Sequence, residues 1–214
     1  MDEDIEIINT NTRNEKIKNF FIINKKKIIA FTSFFILMAI FYFLFLEIKE
    51  RNKIKLAEKY NKIKIEHTIN NKEDTKKKLI EVIYENDSTY SPLALYFMID
   101  NEILSENNEI NKLFDQVINK TKLDKEIKNL IIYKKGLFNS DFTSENELLN
   151  ILNPVIRSES IWKPQALYLM AEFYLSKNQK QKSKDFFNQI ISLDNISPKI
   201  KLEVQRRLRS EFSE

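Results

Sequence analysis

The chain has 214 residues, of which 43% are hydrophobic and 31% charged, and a net charge of +4. One histidine and no cysteine exclude disulfides, thiolate metal sites, cysteine nucleophiles and a zinc site built on a histidine pair. One glycine and four prolines are too few for a phosphate-binding glycine loop or for a β-sandwich with many tight turns. These counts predict an all-α chain without a cofactor, whose function is binding.

The first recognisable element is an apolar segment at residues 28–46, which contains no charged residue. As a helix it spans roughly 28 Å, enough to cross the hydrocarbon core of a bilayer. Lysines precede it at 25–27 and Glu47 follows it, so both ends are sharply defined. A buried core helix would normally have a polar face, and a cleaved secretory signal would end in small residues. We therefore predict a transmembrane signal anchor at 28–46.

The orientation of this anchor does not follow from its flanking charges. Residues 8–27 carry six lysines and arginines and residues 47–66 carry seven, a difference too small for the positive-inside rule. A long C-terminal domain can, however, be translocated regardless of its charge. We therefore predict that residues 1–27 form a short cytoplasmic tail and that residues 47–214 lie on the opposite side of the membrane.

Residues 47–214 contain an internal repeat. The sequence P-x-A-L-Y-x-M begins at Pro92 and again, 72 residues later, at Pro164, and similar second stretches begin at Phe114 and Phe187. This offset is about twice the 34-residue period of tetratricopeptide units. Apolar residues at helical spacing predict helix pairs at 91–120, 123–157 and 162–193, an earlier weaker pair that includes Leu79, Ile80 and Ile83, and a final helix at 198–212.

Capping patterns predict the ends of several of these helices. Residues Ser144 to Glu147 have the pattern of a capping box. Ser91 followed by Pro92 predicts an N-cap serine with proline at the first helical position. Pro154 predicts a kink or an early end of the helix that the capping box opens.

Residues 167–195 resemble one tetratricopeptide repeat (TPR). The positions that match are the small residue between the two helices, an aromatic residue, the turn, the alanine and aromatic positions of the second helix, and the closing proline. These are, in order, Ala171, Tyr174, Asn178, Ser183, Phe187 and Asn195. The resemblance implies a TPR-like α-solenoid of about four helix pairs plus a capping helix, because one pair cannot bury its apolar stripe alone. An unrelated helical bundle, or a coiled coil growing from the anchor, is the alternative.

The concave face of such a stack is the usual place where helical repeats bind extended segments or partner helices. The inward-facing positions in the TPR alignment are Leu93, Tyr96 and Asp100 in the earlier copy and Gln165, Tyr168, Glu172 and Leu175 in the later copy. Tyr168 and Glu172 replace the lysine and asparagine with which some TPR proteins clamp a C-terminal carboxylate. An aromatic, mildly acidic groove suits a protein surface or an unfolded segment, while interhelical packing explains the tyrosines equally well.

Other kinds of site find little support in the sequence. His67 has no second imidazole to work with, which predicts a solvated side chain. Carboxylates such as Glu145 and Glu147 are expected on solvated helix faces, and 31 acidic residues do not suit a nucleic-acid-binding domain. We therefore predict no enzyme activity, no small-molecule substrate and no nucleic-acid partner, and contact with membrane lipid through 28–46.

A short charged tail beginning MDED, a signal anchor and a degenerate TPR domain together resemble the layout of the YfgM-like family, ancillary subunits of the SecYEG translocon. The resemblance covers nearly the whole chain in layout and residues 160–212 residue by residue. It implies a bacterial inner-membrane protein whose periplasmic TPR domain binds translocon subunits and periplasmic chaperones or emerging, unfolded client proteins. The alternative is an envelope-assembly or cell-division scaffold that acts through helical or coiled-coil contacts of residues 47–70.

Overall fold

The computed structural model describes the backbone of residues 2–68, 71–194 and 196–212 and, within these ranges, the side chains from residue 15 onward. The described chain is all-helical, as the sequence predicts, and contains no strand. Its helices are α1 (Asp2–Glu66), α2 (Lys72–Tyr84), α3 (Tyr90–Asp100), α4 (Asn107–Lys120), α5 (Lys125–Asn139), α6 (Glu145–Ile156), α7 (Lys163–Ser176), α8 (Lys180–Ile191) and α9 (Pro198–Phe212). The three predicted pairs correspond to α3–α4, α5–α6 and α7–α8.

Residues 1–55 form one compact unit, which consists of the greater part of α1. The helix extends beyond the apolar segment on both sides. Every side chain from 29 to 46 is exposed, so packing within this unit does not cover the apolar surface. In the described part of the chain, α1 is the one helix that is long and apolar enough to cross a membrane. Membrane spans and signal anchors are both helices of this length and composition.

Residues 56–214 form the second unit, and its first element is the end of α1. Tyr60 and Ile63 are buried in the main core of this unit. The Tyr60 hydroxyl donates a hydrogen bond to the backbone oxygen of Leu93 at 3.4 Å, and its ring centroid lies 5.7 Å from that of Tyr90. The last turns of α1 are therefore a packed helix of the second unit.

A continuous apolar core runs through the second unit. From α2 to α9 each helix packs against the next one along the chain. Buried side chains from α1 to α7 form the main cluster, and a second cluster joins α7, α8 and α9. The second cluster consists of Leu167, Ala171, Phe187, Ile190 and Val204. Ile156 and Phe186 pack against both clusters and so connect them.

The predicted capping box at the start of α6 is confirmed. The Ser144 hydroxyl accepts a hydrogen bond from the backbone N–H of Glu147, and the Glu147 carboxylate accepts one from the backbone N–H of Ser144 at 3.1 Å. The hydrogen bonds that this carboxylate accepts from the backbone N–H and the hydroxyl of Ser144, and from the Thr143 hydroxyl, lower the pKa of the Glu147 carboxyl. The helix ends two residues after Pro154, close to the predicted early end.

The predicted start of α3 is wrong. The helix begins at Tyr90, so Ser91 and Pro92 lie inside its first turn and Ser91 is not the N-cap. The Asp87 carboxylate accepts hydrogen bonds from the backbone N–H groups of Thr89 and Tyr90, each at 2.8 Å. A carboxylate accepts such bonds more strongly than a hydroxyl, and the buried Ser91 hydroxyl donates instead to a backbone oxygen of α2 at 3.1 Å.

The described residues that match a tetratricopeptide repeat lie on α7, on α8 and in the turn between them. Ala171, Ser183 and Phe187 are fully buried. Asn178 has a φ angle of 58°, a left-handed conformation that asparagine tolerates and that ends α7 at the predicted turn. Asn195 lies outside the described residues.

Helices α5 and α6 approach each other closely at Gly136. A Cβ atom placed on Gly136 would lie 2.5 Å from Cδ2 of Leu152, whose side chain is fully buried. Glycine weakens a helix by about 1 kcal/mol relative to alanine, but here the absence of a side chain permits the contact. Gly136 also precedes Ala171, the small residue of the later copy, by 35 residues.

Two polar side chains that the sequence predicts to be solvated make contacts within the protein. His67, predicted to be solvated, is partly buried, with Nδ1 at 3.3 Å from the Thr75 hydroxyl. Glu145 of α6 accepts hydrogen bonds from the Tyr174 hydroxyl at 3.0 Å and from Lys182 Nζ at 2.8 Å. The bond from Lys182 is the main reason why the pKa of the Glu145 carboxyl is lowered. Glu145 therefore connects α6 to both α7 and α8.

Candidate protein-binding groove

Two of the predicted groove residues meet at a pocket formed by α5, α7 and α9. The pocket is open to solvent and has a volume of about 420 Å³. Its lining consists of Tyr133, Pro164, Gln165, Tyr168, Lys199, Ile200 and Glu203. We call it the α7 pocket. The structure thus brings Gln165 and Tyr168 together, whereas Leu175 lies farther along α7 and does not line this pocket.

Helix α7 presents Gln165 and Tyr168 side by side because residues three apart lie on one helix face. The Tyr168 ring packs edge-on against the buried ring of Phe187, with 5.4 Å between centroids, so the core fixes its position. The side-chain oxygen Oε1 of Gln165 is buried and has no hydrogen-bond partner among the described residues. The pocket therefore combines an aromatic wall with a residue whose buried acceptor has no partner among the described residues.

Glu172, which the sequence predicts as an acidic groove residue, forms an ion pair with α9. Arg207 donates to Oε1 of Glu172 from Nε at 3.0 Å and from Nη2 at 2.6 Å. The two side chains are 34% and 27% exposed, and the bond to Glu172 raises the pKa of the Arg207 guanidinium. Bidentate pairs of this kind are among the stronger ion pairs in proteins. The negative charge of Glu172 is therefore already compensated within the chain.

The three predicted residues of α3 do not line the α7 pocket. Leu93 is 41% exposed, and its backbone oxygen accepts the hydrogen bond from Tyr60. Asp100 is exposed, and its charge adds to the effect of burial in raising the pKa of the Tyr60 hydroxyl. Tyr96 is partly buried and contacts α5, with Nζ of Lys134 at 5.9 Å from its ring centroid. The α3 residues therefore do not contribute to the α7 pocket.

Four tyrosines follow each other on the odd-numbered helices. Tyr60, Tyr96, Tyr133 and Tyr168 occur at intervals of 36, 37 and 35 residues, on α1, α3, α5 and α7. We call them the tyrosine row. Tyr133 stacks on Trp162 with ring centroids 6.0 Å apart and an angle of 16° between the planes. The sequence prediction missed Tyr60 and Tyr133, although their regular spacing could have identified them.

Burial raises the pKa of all four hydroxyls of the tyrosine row. The pKa of Tyr96 rises to about 12, and its hydroxyl is buried without a hydrogen-bond partner among the described residues. Of these four residues, Tyr133 and Tyr168 line the α7 pocket. The tyrosine row therefore serves mainly in packing, and its last two members also contribute to the candidate site.

Replacing Tyr96 by phenylalanine is expected to stabilise the protein slightly at pH 7, by up to about 1 kcal/mol, because it removes an unpaired buried hydroxyl. Burial raises the pKa of Tyr96 to about 12, so the folded state holds this proton more tightly than the unfolded state does. The wild type is therefore insensitive to this proton below pH 10, and its free energy of unfolding falls as the pH rises from 10 towards 12. Tyr96→Phe should therefore lose less stability than the wild type between pH 10 and 12. Urea unfolding at several pH values measures this, with Tyr84→Phe, at an exposed tyrosine, as the matched control. Equal alkaline losses in wild type and Tyr96→Phe would contradict it.

Comparison of the chain with models of protein families, with curated proteins and with solved structures gives no match. The function is therefore inferred from the geometry of the described residues. The α7 pocket is lined by the aromatic rings of Tyr133 and Tyr168 and can take up an apolar side chain. Lys199 and Glu203, both on α9, add one positive and one negative charge at the same place.

Proposed function

We propose that this chain is a membrane-tethered interaction protein, anchored by residues 28–46, whose helical domain binds other proteins. The observation that carries the proposal is the presence, in one chain, of an exposed apolar segment long enough to cross a membrane and a helical unit with an open, aromatic-walled pocket. An apolar surface of that length needs a lipid environment. A pocket of this kind is typical of binding sites.

A TPR-like arrangement of the second unit is part of the proposal. The tyrosine row recurs at close to the 34-residue TPR period. Gly136 and Ala171, 35 residues apart, place small residues at equivalent points of α5 and α7. Packing of each helix on the next, with apolar clusters joined through shared residues, is a feature of helical repeats.

The proposed partners follow from the resemblance in layout to the YfgM-like family. On this basis the domain lies on the periplasmic side of a bacterial inner membrane and binds translocon subunits, periplasmic chaperones or emerging clients. Tethering raises the effective concentration of a partner held near the same membrane to about the millimolar range for short linkers. A weak pocket therefore suffices for such a function.

The alternative, a scaffold that assembles through residues 47–70, is less well supported. A coiled coil needs an apolar stripe that is free to meet a partner helix. Tyr60 and Ile63 of this segment are instead buried in the main core of the second unit. The apolar stripe of α1 between Leu56 and Glu66 therefore packs within the chain and is not free to meet a partner helix.

Membrane attachment is tested by fractionation of cells that express the full chain. We expect the protein to stay with membranes after carbonate extraction, and protease added to spheroplasts to digest the domain after Leu46. Deletion of residues 28–46 should release the protein into the soluble fraction. Recovery of the intact chain in the carbonate supernatant would contradict the anchor, and protection of the domain from protease would contradict the periplasmic location.

Binding is tested by site-specific photo-crosslinking in cells. A photoreactive amino acid at Glu203, which lines the α7 pocket, should capture translocon subunits, periplasmic chaperones or exported clients. The same probe at the neighbouring Leu202, which is 64% exposed and does not line the pocket, is the matched control. Identical products from both positions, or none from Glu203, would contradict a binding role of the pocket.

A further inference from the structure

The apolar surface of α1 begins before the transmembrane segment. Four consecutive apolar residues, Phe20 to Ile23, lie outside 28–46, and their side chains are 55–80% exposed. Five exposed lysines flank them, namely Lys16, Lys18, Lys25, Lys26 and Lys27. Helix α1 is continuous through this region, so the lysines and the apolar residues share one helical surface. We call residues 16–27 the basic–aromatic segment.

The basic–aromatic segment places lysines on both sides of the apolar residues along the helix. Residues three, four and seven apart lie on one face of a helix. One shallow groove follows such a face into the transmembrane segment, and it is lined by Lys18, Phe21, Ile22, Lys25, Ile28 and Ile29. The remaining residues with this arrangement are Lys16, Phe20, Ile23 and Lys27. On each face, therefore, two lysines enclose a pair of apolar side chains.

The positive charge of the basic–aromatic segment is not compensated by neighbouring side chains. No ion pair joins any of its lysines to a side chain that the structure describes. Within residues 15–27 the one acidic residue is Glu15. The acidic residues nearer the start of the chain lie at positions 2, 3, 4 and 6, at least ten positions before Lys16. Ion pairs along a helix join residues three or four apart, so these carboxylates are too distant.

The flank on the other side of the transmembrane segment differs in this respect. Residues 47–55 contain four basic and two acidic residues. Arg51 donates to the Glu47 carboxylate from Nε at 2.7 Å, so part of the charge is paired within the helix. Counting lysines and arginines alone makes the two flanks look alike, whereas the ion pairs and the exposed apolar residues distinguish them.

The position of Phe20 to Ile23 relative to the transmembrane segment indicates what covers them. They precede Ile28 by five to eight residues, which is roughly 8–12 Å along the helix axis. This distance places them beside the headgroup layer of a bilayer rather than in its hydrocarbon core. At this level a helix binds a membrane surface through apolar side chains and through the attraction of lysines to anionic lipids. The segment therefore matches an anionic lipid surface, since a zwitterionic surface offers no net charge to its lysines.

From these features we infer that the basic–aromatic segment is a binding site for the headgroups of anionic phospholipids. The lysines pair with lipid phosphates, and Phe20 to Ile23 hold the segment against the membrane surface. This inference rests on the membrane anchor of the proposed function and adds to it the class of lipid that the anchor selects. It does not depend on which proteins the helical domain binds.

The test measures which lipids gather around the full-length protein in phosphatidylcholine nanodiscs. The chain has no cysteine, so Asn19→Cys creates a single attachment site for an acceptor dye within the segment. The nanodiscs carry a trace of phosphatidylglycerol or of phosphatidylcholine, each with the same donor dye on an acyl chain. We expect energy transfer to show about fivefold enrichment of phosphatidylglycerol over phosphatidylcholine at low salt. The enrichment should disappear in 1 M sodium chloride, where screening confines electrostatic attraction to about 3 Å.

Two triple variants provide the matched comparison. Replacing the three lysines at 25–27 by glutamine should lower the enrichment at least twofold, because three of the five charges are lost. Replacing the three lysines of the other flank, at 49, 53 and 55, by glutamine changes the net charge equally and should leave the enrichment unchanged. Phe20→Ser combined with Phe21→Ser should also lower it, about twofold, because the segment then lies less closely against the headgroups.

Equal energy transfer from the two lipids, equal effects of the two triple variants, or no effect of the serine pair would overturn the inference. A photoreactive amino acid at Ile23 provides a check in cells, where capture of one protein in place of lipid would overturn it as well. Carbonate extraction separates this result from the proposed function. A protein that stays with membranes but shows no lipid preference would refute the lipid site and leave the anchor intact, whereas release by carbonate would refute both.

Discussion

Phe187→Ala is expected to lower the free energy of unfolding by about 3–5 kcal/mol, the usual effect of removing a large aromatic side chain from a core. Phe187 is fully buried in the second cluster. Its ring contacts those of Tyr168 and Phe212, with centroids 5.4 and 6.2 Å away. The truncation leaves a cavity where α7, α8 and α9 meet, and it also removes the support that fixes Tyr168 in the α7 pocket.

Trp162, the only tryptophan of the chain, provides the measurement. It stacks on Tyr133, so its fluorescence should change when the helical unit unfolds in urea. Phe142→Ala is the matched control, because Phe142 is 47% exposed and its truncation should cost less than about 1 kcal/mol. A Phe187→Ala variant as stable as Phe142→Ala would mean that the second cluster is not a packed core.

The features that the sequence predicts well are those that depend on local or periodic patterns. The unbroken apolar segment at 28–46 identifies a helix able to cross a membrane, because length and composition alone decide that property. The capping box at Ser144 follows from a four-residue pattern, and the helix pairs follow from apolar spacing. Each of these signals involves residues close together in the chain.

The features that the sequence misses depend on contacts between distant residues. Arg207 and Glu172 are 35 residues apart, and no local rule shows that α9 brings them together. The same packing makes α9 one wall of the α7 pocket. The serine–proline pattern at Ser91 is typical of a helix start, but the side chain that accepts from the first backbone N–H groups of α3 is that of Asp87.

The role of Gly136 depends both on a pattern visible in the sequence and on a contact between distant residues. A single glycine in a chain of 214 residues is conspicuous, and its distance of 35 residues from Ala171 matches a repeat. Helix propensity alone would treat it as a weak point of α5. The reason for its presence is Leu152 of α6, which occupies the space that a side chain at 136 would need.

Gly136→Leu is therefore expected to destabilise the protein by about 2–3 kcal/mol, even though leucine favours a helix more than glycine does. The new side chain must displace Leu152, whose Cδ2 atom would lie 2.5 Å from even a Cβ at this position. Leu152→Ala alone should cost about 2–5 kcal/mol, because it leaves a cavity in the main core. Urea unfolding followed by Trp162 fluorescence measures both variants.

Combining the two substitutions should restore part of the lost stability. The leucine introduced at 136 can fill the space vacated by Leu152, so the double variant should be more stable than the sum of the single effects predicts, by about 1–3 kcal/mol. Combining Gly136→Leu with Ile190→Ala provides the control. Because Ile190 belongs to the second cluster, the destabilisation of this double variant should equal the sum of the two single effects. Strict additivity of Gly136→Leu with Leu152→Ala would mean that the two helices do not meet at this point. Equal non-additivity in both pairs would point to a general response of the fold, since the expected coupling is confined to residues in direct contact.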